Sequence, residues 1–180
     1  MSLQFRDSVS HCVAFRSWYS MSVTLYTDLG EFKIELFCDQ APKACENFLA
    51  LCASGYYNGC TFHRNIKGFV LQTGDPTNTG KGGTSIWNRK FEDEFVDTLK
   101  HNARGIVSMA TNAPDSNGSQ FFITYAKQPH LDNKCTVFGR VIHGLETLDH
   151  FEKAPVDEKH RMTFPAQIRR VAIHANPYAN

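Results

Sequence analysis

Residues 21–36 read MSVTLYTDLGEFKIEL and alternate between apolar and polar side chains on both sides of a turn that contains Gly30. The apolar positions are Val23 and Leu25 before the turn and Phe32, Ile34 and Leu36 after it. Because successive side chains of a β-strand point to opposite faces, this period of two predicts two strands that each bury one face. The glycine-containing turn between them indicates a β-hairpin.

The segment that follows the hairpin changes to a helical period. Its apolar side chains lie at Cys45, Phe48, Leu49 and Cys52. Proline is favoured in the first turn of a helix and glycine just after the last turn, so we predict a helix between Pro42 and Gly55. A second helix is predicted at 145–152, where apolar side chains again recur at helical spacing.

Six further segments of strand character lie between turn signals, at 60–64, 69–73, 105–109, 120–125, 136–142 and 167–174. Eight strands with only two helices cannot alternate as βαβ units, so the sheet should be mainly antiparallel. Closing such a sheet on itself removes its exposed edges. The predicted fold class is therefore mainly β, a closed eight-stranded antiparallel barrel capped by two helices. The glycine-rich stretch from residue 74 to 104 is expected to run over the surface.

Length and charge limit the number of domains and the kinds of partner. With 180 residues, 42% of them hydrophobic, the chain can build one globular core. Its 19 basic and 18 acidic residues give a net charge of +1, and no apolar run approaches the ~20 residues of a membrane span. These features argue against nucleic acid or a membrane as the main partner. No feature of the sequence favours an oligomer, so we expect a monomer.

The first twenty residues differ in character from the rest. They carry five serines, and leaving them out gives 17 basic and 17 acidic residues for 21–180. A weak targeting segment, an alternative start at Met21 and a tail that packs through Phe15, Trp18 and Tyr19 are all compatible with this composition. We interpret 1–20 as a dispensable extension, because its basic content is too low for a convincing transit peptide, and 21–180 as the domain.

The cysteines predict reduced thiols. The chain has six, with no C-x-x-C pair, and a domain of this length does not need disulfide bonds to be stable. Cys45 and Cys52 share the predicted helix face, so core packing is favoured over metal binding. We therefore expect a nuclear or cytoplasmic protein that is not secreted, and we predict no metal and no other cofactor.

Common catalytic motifs are missing. Residues 74–82 read GDPTNTGKG, which is one residue too long for a phosphate-binding loop and has Gly82 where Ser or Thr should hold magnesium. Neither G-x-S-x-G nor H-E-x-x-H occurs, and the eight histidines are scattered. Nucleotide binding, serine hydrolysis and zinc proteolysis are therefore disfavoured.

Two blocks of sequence carry a specific resemblance instead. The first is Phe62-His63-Arg64 followed in register by Gly68-Phe69, Gln72 and Gly74-Asp75, and the second is Asn117-Gly118-Ser119-Gln120-Phe121-Phe122. Together they resemble the cyclophilin family of peptidyl-prolyl cis-trans isomerases. Further matches at 91–94 and 137–139 extend the resemblance over 21–175. Several motifs in the right order and spacing are a much stronger signal than one short match.

Within this family the chain is most similar to the single-domain cyclophilin J (peptidyl-prolyl isomerase-like) group, which is associated with the spliceosome. Residues 22–25, 45–54 and 173–177 carry that similarity. The resemblance implies an isomerase that acts on Xaa-Pro bonds of polypeptides, with spliceosomal proteins as candidate partners. The alternative is a module that binds proline-containing segments within a larger assembly and has little turnover.

The residues themselves permit this chemistry. Rotation about an Xaa-Pro bond faces a barrier of roughly 18–20 kcal/mol because resonance stiffens the C–N bond. A catalyst needs no nucleophile or metal, but it must hold the proline ring and offer a donor to the imide nitrogen in the twisted state. Arg64 suits that role, because a guanidinium is always charged and carries several donors in a fixed geometry.

By resemblance, the site residues have distinct roles. Phe69, Phe122 and Leu131 would line the apolar proline pocket with Val70 beside them, Gln72 would orient Arg64, Ala110, Thr111 and Gln120 would receive the residue before the proline, and His130 would stand at the rim. His63 is assigned to structural support.

The chain also departs from the usual family pattern. His130 stands where many cyclophilins have Trp, Cys135 where they have His, and Thr111 and Val70 where Asn and Met are common. Because the Trp is tied to cyclosporin binding in the family, the resemblance implies weak binding of that ligand. Arg64, Phe69, Gln72 and Phe122 are retained, which keeps catalysis in place.

Overall fold

One eight-stranded antiparallel sheet organises residues 20–176, the part of the chain that the computed structural model describes. Its strands are β1 (Ser20–Thr27), β2 (Gly30–Leu36), β3 (Arg64–Ile66), β4 (Val70–Thr73), β5 (Ile106–Met109), β6 (Phe121–Thr124), β7 (Val137–His143) and β8 (Ile168–Asn176). They are hydrogen-bonded in the order β3-β4-β6-β5-β7-β2-β1-β8. Two helices, α1 (Pro42–Ala53) and α2 (Leu145–Lys153), and a 3-10 turn (Pro129–Leu131) complete the elements. The predicted extension, apart from Ser20, lies outside the described residues.

The predicted hairpin is confirmed. In the β1–β2 ladder Val23 pairs with Ile34 and Leu25 with Phe32, and all four side chains are fully buried. The alternation in the sequence thus places one face of the hairpin in the core. Burying side chains of this size contributes roughly 1.5–3 kcal/mol each, so the apolar face fixes the register of the two strands.

The predicted closure of the barrel is not confirmed, and the sheet forms a curled half-barrel. The strands at the two ends of the order, β3 and β8, do not pair with each other. Residues 59–62 exchange a few backbone hydrogen bonds with the start of β8, including Ile168 N–H to Cys60 C=O at 3.0 Å. The chain then diverges, because the Asn65 N–H in β3 donates to the carbonyl oxygen of His160 at 2.8 Å. A loop therefore covers this edge where the prediction placed a strand.

Most other predicted elements are confirmed within two residues of their predicted bounds, and the exception is the predicted strand at 60–64. Only its last residue, Arg64, belongs to a strand, while Thr61 forms an isolated bridge to Gln167. Both helices form as expected, with α1 packed against β8 and α2 against β2 and β3. Residues 74–104 follow an irregular path, as predicted.

Two aromatic clusters fill the core between the sheet and the helices. In the first, Phe48 of α1 packs against Phe121 and Phe138 with ring centroids 5.2 Å apart in each pair. In the second, the ring centroids of Phe62 and Phe151 of α2 are 4.5 Å apart. Cys45 and Cys52 are buried free thiols in the same core, which agrees with the packing role predicted for them.

Neither helix of residues 20–176 is long and apolar enough to cross a membrane. Across the same span, no three His, Cys, Asp or Glu side chains are grouped so that they could hold a metal ion.

Gly144 at the start of α2 offers a test of this packing. Its φ of +97° is in the left-handed region, and a Cβ there would overlap the carbonyl oxygen of Glu31 in β2. We expect Gly144→Ala to lower the free energy of unfolding by at least about 3 kcal/mol, because backbone strain and overlap add. Urea denaturation measures this change.

The matched control is Gly59→Ala, which has a similar φ of +83° but no atom within 4 Å of its Cβ position. This variant should lose only about 1–2 kcal/mol from the left-handed backbone. Equal losses for the two variants would contradict the proposed overlap between α2 and β2.

Candidate active site

A groove of about 430 Å³ lies over β3, β4 and β6 and contains nine of the ten predicted site residues. Those nine are Arg64, Phe69, Val70, Gln72, Ala110, Thr111, Gln120, Phe122 and Leu131. Ten further residues contribute to its walls, among them the glycine-rich segment 80–83 and Cys135. The groove therefore unites side chains that are up to 71 positions apart in the chain, between Arg64 and Cys135.

Strand register aligns the central residues of the groove. Arg64 in β3 pairs with Gln72 in β4, and Gln72 pairs with Phe122 in β6. Directly paired residues of neighbouring strands project to the same face of a sheet. The cation, the amide and the aromatic ring consequently form one row across three strands.

A chain of amide hydrogen bonds holds the polar side of this row. The Arg64 guanidinium donates to Gln72 Oε1 at 3.5 Å, and Gln72 Nε2 donates to Gln120 Oε1 at 2.8 Å. Gln120 Nε2 in turn donates to the carbonyl oxygens of Gly80 and Gly82, at 3.1 and 2.9 Å. Arg64 is exposed and forms no ion pair within residues 20–176, so most of its donors remain available to a bound peptide.

The apolar side of the groove is formed by residues from different elements. Phe122 and Val70 are buried at 5% and 3% exposure, while Phe69 and Leu131 are half-buried and form the more open part of the surface. Leu131 lies at the end of the 3-10 turn, which is tied down because Gln128 Nε2 donates to the Gly68 carbonyl at 2.8 Å. An apolar floor with a few polar groups is the usual composition of a small binding site.

His130 is the predicted site residue that does not line the groove. Its exposed ring stacks on Phe69 from outside, with centroids 5.6 Å apart and planes inclined by 26°. Any contact between His130 and a substrate therefore stays a prediction, while the structure shows that the ring supports Phe69.

His101 is a residue of this region that the sequence analysis missed. Its ring stacks on Phe122 with centroids 5.9 Å apart, and its Nδ1–H donates to Asp132 Oδ1 at 2.9 Å. Burial lowers the pKa of His101, although the Asp132 carboxylate opposes part of that effect. The ring is thus an uncharged support for the pocket. No local pattern in the sequence could reveal this role of His101, because His101 and its hydrogen-bond partner Asp132 are 31 positions apart.

Asp75 organises the glycine-rich wall. It is fully buried, and its carboxylate accepts hydrogen bonds from Thr77 N–H at 2.8 Å, Gly80 N–H at 2.7 Å and Gly82 N–H at 3.1 Å. Burial alone would raise the pKa of Asp75, but a hydrogen bond from the Thr77 hydroxyl at 2.7 Å, together with these backbone hydrogen bonds, outweighs burial and lowers the pKa to about 2. The loop is therefore built around a buried anion.

Two further titratable side chains near the wall, His63 and Cys135, have shifted pKa values. The buried His63 ring packs under Gly80, and burial lowers the pKa of His63, in agreement with a structural role. Cys135 lines the groove, but burial raises the pKa of its thiol to about 11. Because the thiolate is the nucleophilic form of cysteine, the raised pKa makes Cys135 a poor nucleophile at neutral pH.

Comparison with known proteins identifies the family. The model of the cyclophilin-type peptidyl-prolyl cis-trans isomerase family matches residues 22–173. The chain therefore belongs to this family, which confirms the family and the enzyme class expected from the sequence.

Individual relatives cover nearly the same span. The chain is 69% identical over 160 residues to peptidyl-prolyl cis-trans isomerase-like 3 of Homo sapiens, an alignment that covers 88% of this chain and 99% of that protein. It is 67% identical over 159 residues to peptidyl-prolyl cis-trans isomerase 10 of Caenorhabditis elegans, with the same two coverages.

Solved structures show the same fold. A cyclophilin-type isomerase of Cryptosporidium parvum superposes with a TM-score of 0.85 at 51% identity, covering 88% of this chain and 99% of that one. A structure of that protein in the presence of the dipeptide Ala-Pro gives a TM-score of 0.84 at 52% identity, covering 86% and 99%.

The role of Asp75 predicts a pH-dependent effect. Since its pKa is lowered in the folded state, the ionised carboxylate stabilises the fold above about pH 4, and this contribution is lost as the pH falls toward 2. We expect Asp75→Asn to lower the free energy of unfolding at pH 7 by about 2 kcal/mol. Urea denaturation between pH 7 and pH 2.5 should show the difference from the unchanged protein shrinking below pH 4.

Asp97→Asn is the control, because this carboxylate is fully exposed and its one ion pair within residues 20–176, with Lys100, is long at 3.9 Å. Its loss should change the free energy of unfolding by less than about 0.5 kcal/mol. A constant difference for Asp75→Asn over the whole pH range would show that the charge of Asp75 does not hold the loop.

Proposed function

We propose that this chain catalyses cis-trans isomerisation of Xaa-Pro bonds in polypeptides within the groove, with Arg64 as the catalytic donor. The observation that carries the proposal is the row formed by Arg64, Gln72 and Phe122 across three paired strands. It places a cation with free donors beside an apolar surface large enough for a proline ring.

The proposed mechanism follows from the electronic structure of the amide. In the planar forms the nitrogen lone pair is delocalised into the carbonyl, and in the twisted form it is localised on nitrogen and can accept a hydrogen bond. A donor aimed at that nitrogen stabilises the twisted form more than either planar form, which is the condition for catalysis. One hydrogen bond from a charged donor contributes about 1.5–3 kcal/mol, and each 1.36 kcal/mol is about tenfold in rate.

The remaining groups hold the substrate around this donor. Phe69, Phe122 and Leu131 would hold the proline ring. The ring then stays in place while the chain before the proline rotates about the Xaa-Pro bond. Gln72 would hold the Arg64 guanidinium in position to donate to the imide nitrogen, through the hydrogen bond that already joins the two side chains. Pre-positioning of this kind reduces the reorganisation that the twisted state requires.

Replacement of Arg64 separates catalysis from binding. We expect Arg64→Ala to lower kcat/KM on a short Xaa-Pro peptide at least about a hundredfold, because the donor acts mainly in the twisted state. The peptide dissociation constant should change by less than about threefold, since the apolar pocket is intact. NMR exchange spectroscopy gives the rate, and chemical-shift titration of the same samples gives the affinity.

Arg140→Ala serves as the control, because Arg140 is exposed on β7 and pairs with Glu35 at 2.7 Å without lining the groove. It should leave the rate unchanged. Peptide binding to the unchanged protein without any acceleration would favour the alternative function, a module that binds proline-containing segments and has little turnover. Thr111, His130 and Cys135, which replace common family residues, would then be the first candidates for the cause.

We further propose that the protein acts as a monomer in the nucleus, the cytoplasm or both, with spliceosomal proteins as partners and with 1–20 as a dispensable extension. Cys45, Cys52, Cys60 and Cys135 are free thiols, which supports a reducing compartment. The similarity to the spliceosome-associated group supports the proposed partners. Cell fractionation, analytical ultracentrifugation and affinity capture from nuclear extract test location, assembly and partners.

Weak cyclosporin binding is expected from the same site. His130 stacks on Phe69 and offers less apolar area than an indole ring would at this position. We expect His130→Trp to tighten cyclosporin binding at least about tenfold, as a larger apolar contact would, and isothermal titration calorimetry measures the change. A tight complex with the unchanged protein would contradict this expectation.

A further inference from the structure

Glu152, near the end of α2, connects this helix to the turn that carries Phe69. We infer that Glu152 is a positioning residue for the proline pocket and that Arg104 holds the Glu152 carboxylate in place. Neither residue lines the groove, so both act through residues that do. The inference rests on the proposed function, since it assumes that the ring of Phe69 contacts the proline of the substrate.

Phe69 lies outside the strands that carry the floor of the pocket. Val70 and Phe122 belong to β4 and β6 and are buried, whereas Phe69 is half-buried in the turn between β3 and β4. The preceding residue, Gly68, has a φ of +72°, and within residues 20–176 no atom beyond its chain neighbours lies within 4 Å of the position that a Cβ would take. Packing around Gly68 does not fix the turn, so its position depends on hydrogen bonds.

Three hydrogen bonds from other parts of the chain hold this turn. The Gly68 N–H donates to Glu152 Oε1 at 2.9 Å, and the Gly68 carbonyl oxygen accepts from Gln128 Nε2 at 2.8 Å. The Phe69 carbonyl oxygen accepts from the Tyr125 N–H at 2.9 Å. Tyr125 directly follows β6 and Gln128 precedes the 3-10 turn, so Glu152 is the partner that ties the turn to a helix.

The Glu152 carboxylate is the one charged acceptor among these three bonds. Hydrogen bonds to ionised acceptors are roughly twice as strong as those between neutral groups. The bond to Glu152 therefore contributes more than either neutral bond to the position of Gly68, and through the next peptide group to that of Phe69. Without this bond the turn can shift, and the Phe69 ring shifts with it.

Arg104 holds the other oxygen of the same carboxylate. Its Nη1 donates to Glu152 Oε2 at 2.7 Å and to the Tyr125 carbonyl oxygen at 2.8 Å, and its Nη2 donates to Asp149 Oδ1. The guanidinium carbon also lies 5.3 Å from the centroid of the Tyr125 ring, which is a cation–π distance. Because the guanidinium is planar and its donors have a fixed geometry, these contacts define its orientation and that of the carboxylate it binds.

The side chain of Tyr125 anchors this arrangement in the core. It is buried, and its hydroxyl donates to Asn65 Oδ1 at 2.6 Å. Asn65 Nδ2 in turn donates to the carbonyl oxygen of Phe151 at 2.6 Å. Since Phe151 directly precedes Glu152, the backbone from which the Glu152 side chain extends is tied to β3.

A positioning role makes a specific kinetic prediction. Phe69 would contact the proline ring in the planar and in the twisted states, so a shift of Phe69 weakens the binding of all these states alike. Loss of uniform binding raises KM and leaves kcat unchanged. A role in stability alone would lower the midpoint of urea denaturation and leave the KM of the folded protein as it is.

The experiment measures kcat and KM on a short Xaa-Pro peptide by NMR exchange spectroscopy, and the peptide dissociation constant by chemical-shift titration. We expect Glu152→Ala to raise KM and the dissociation constant about threefold to tenfold, and to change kcat by less than about twofold. Glu152→Gln should recover most of the affinity, because its amide oxygen can still accept from the Gly68 N–H. Arg104→Gln should raise KM by a smaller factor than Glu152→Ala, and it gives the same test in a variant that keeps every residue of α2.

Glu35→Ala is the matched control. Glu35 also pairs with an arginine, Arg140, at 2.7 Å, and its side chain is 27% exposed compared with 20% for Glu152, but it does not line the groove. Its loss should leave KM unchanged. Hydrogen–deuterium exchange of the Gly68 amide adds a direct measurement, since this amide should exchange faster in Glu152→Ala than in Glu35→Ala.

Equal KM values for Glu152→Ala and Glu35→Ala, or equal exchange rates of the Gly68 amide in the two variants, would overturn the inference. A loss of kcat in Glu152→Ala without a rise in KM would overturn it as well. The dissociation constants decide the role of Glu152 even without turnover. An unchanged protein that binds the peptide but does not accelerate its isomerisation would count against the proposed function alone.

Discussion

The pairing of β3 with β4 and of β4 with β6 is the constraint on which the groove depends. Backbone hydrogen bonds fix Arg64 opposite Gln72 and Gln72 opposite Phe122, so the separation of donor and pocket is set by strand spacing. A shift of the register by one residue would turn these side chains to the other face of the sheet. Leu71, Phe121 and Ile123 are buried on the core face of the same strands and protect that register, because a shift by one residue would turn them away from the core.

The polar wall opposite this row is held by a different kind of interaction. No regular element supports the segment from Thr77 to Gly83, and its shape depends on the hydrogen bonds that the carboxylate of Asp75 accepts. The side chain of Gln120 then joins the wall to the row, because it accepts from Gln72 and donates to Gly80 and Gly82. Hydrogen bonds therefore hold the groove on both sides although only one side is part of the sheet.

Sequence-based prediction succeeded for elements that depend on local interactions and failed for features that depend on contacts between distant parts of the chain. The β1–β2 hairpin and α1 depend on local periodicity and formed as predicted. Nine of the site residues that the family motifs predicted line one groove. The predicted closed barrel failed because the β3 edge is covered by the carbonyl of His160, about a hundred positions away, which no local pattern encodes. The stacking of His101 on Phe122 was missed for the same reason.

The thiol of Cys135 has a consequence for how the groove responds to oxidants. Peroxide reacts with the thiolate rather than the thiol, and because burial raises the pKa of Cys135 to about 11, very little of this thiol is ionised near neutral pH. A reactive cysteine in the substrate groove would ordinarily allow oxidants to inactivate the protein. Here the sulfur contributes polarizable apolar surface, so the groove should keep its shape through changes of cellular redox state that inactivate proteins with low-pKa thiols.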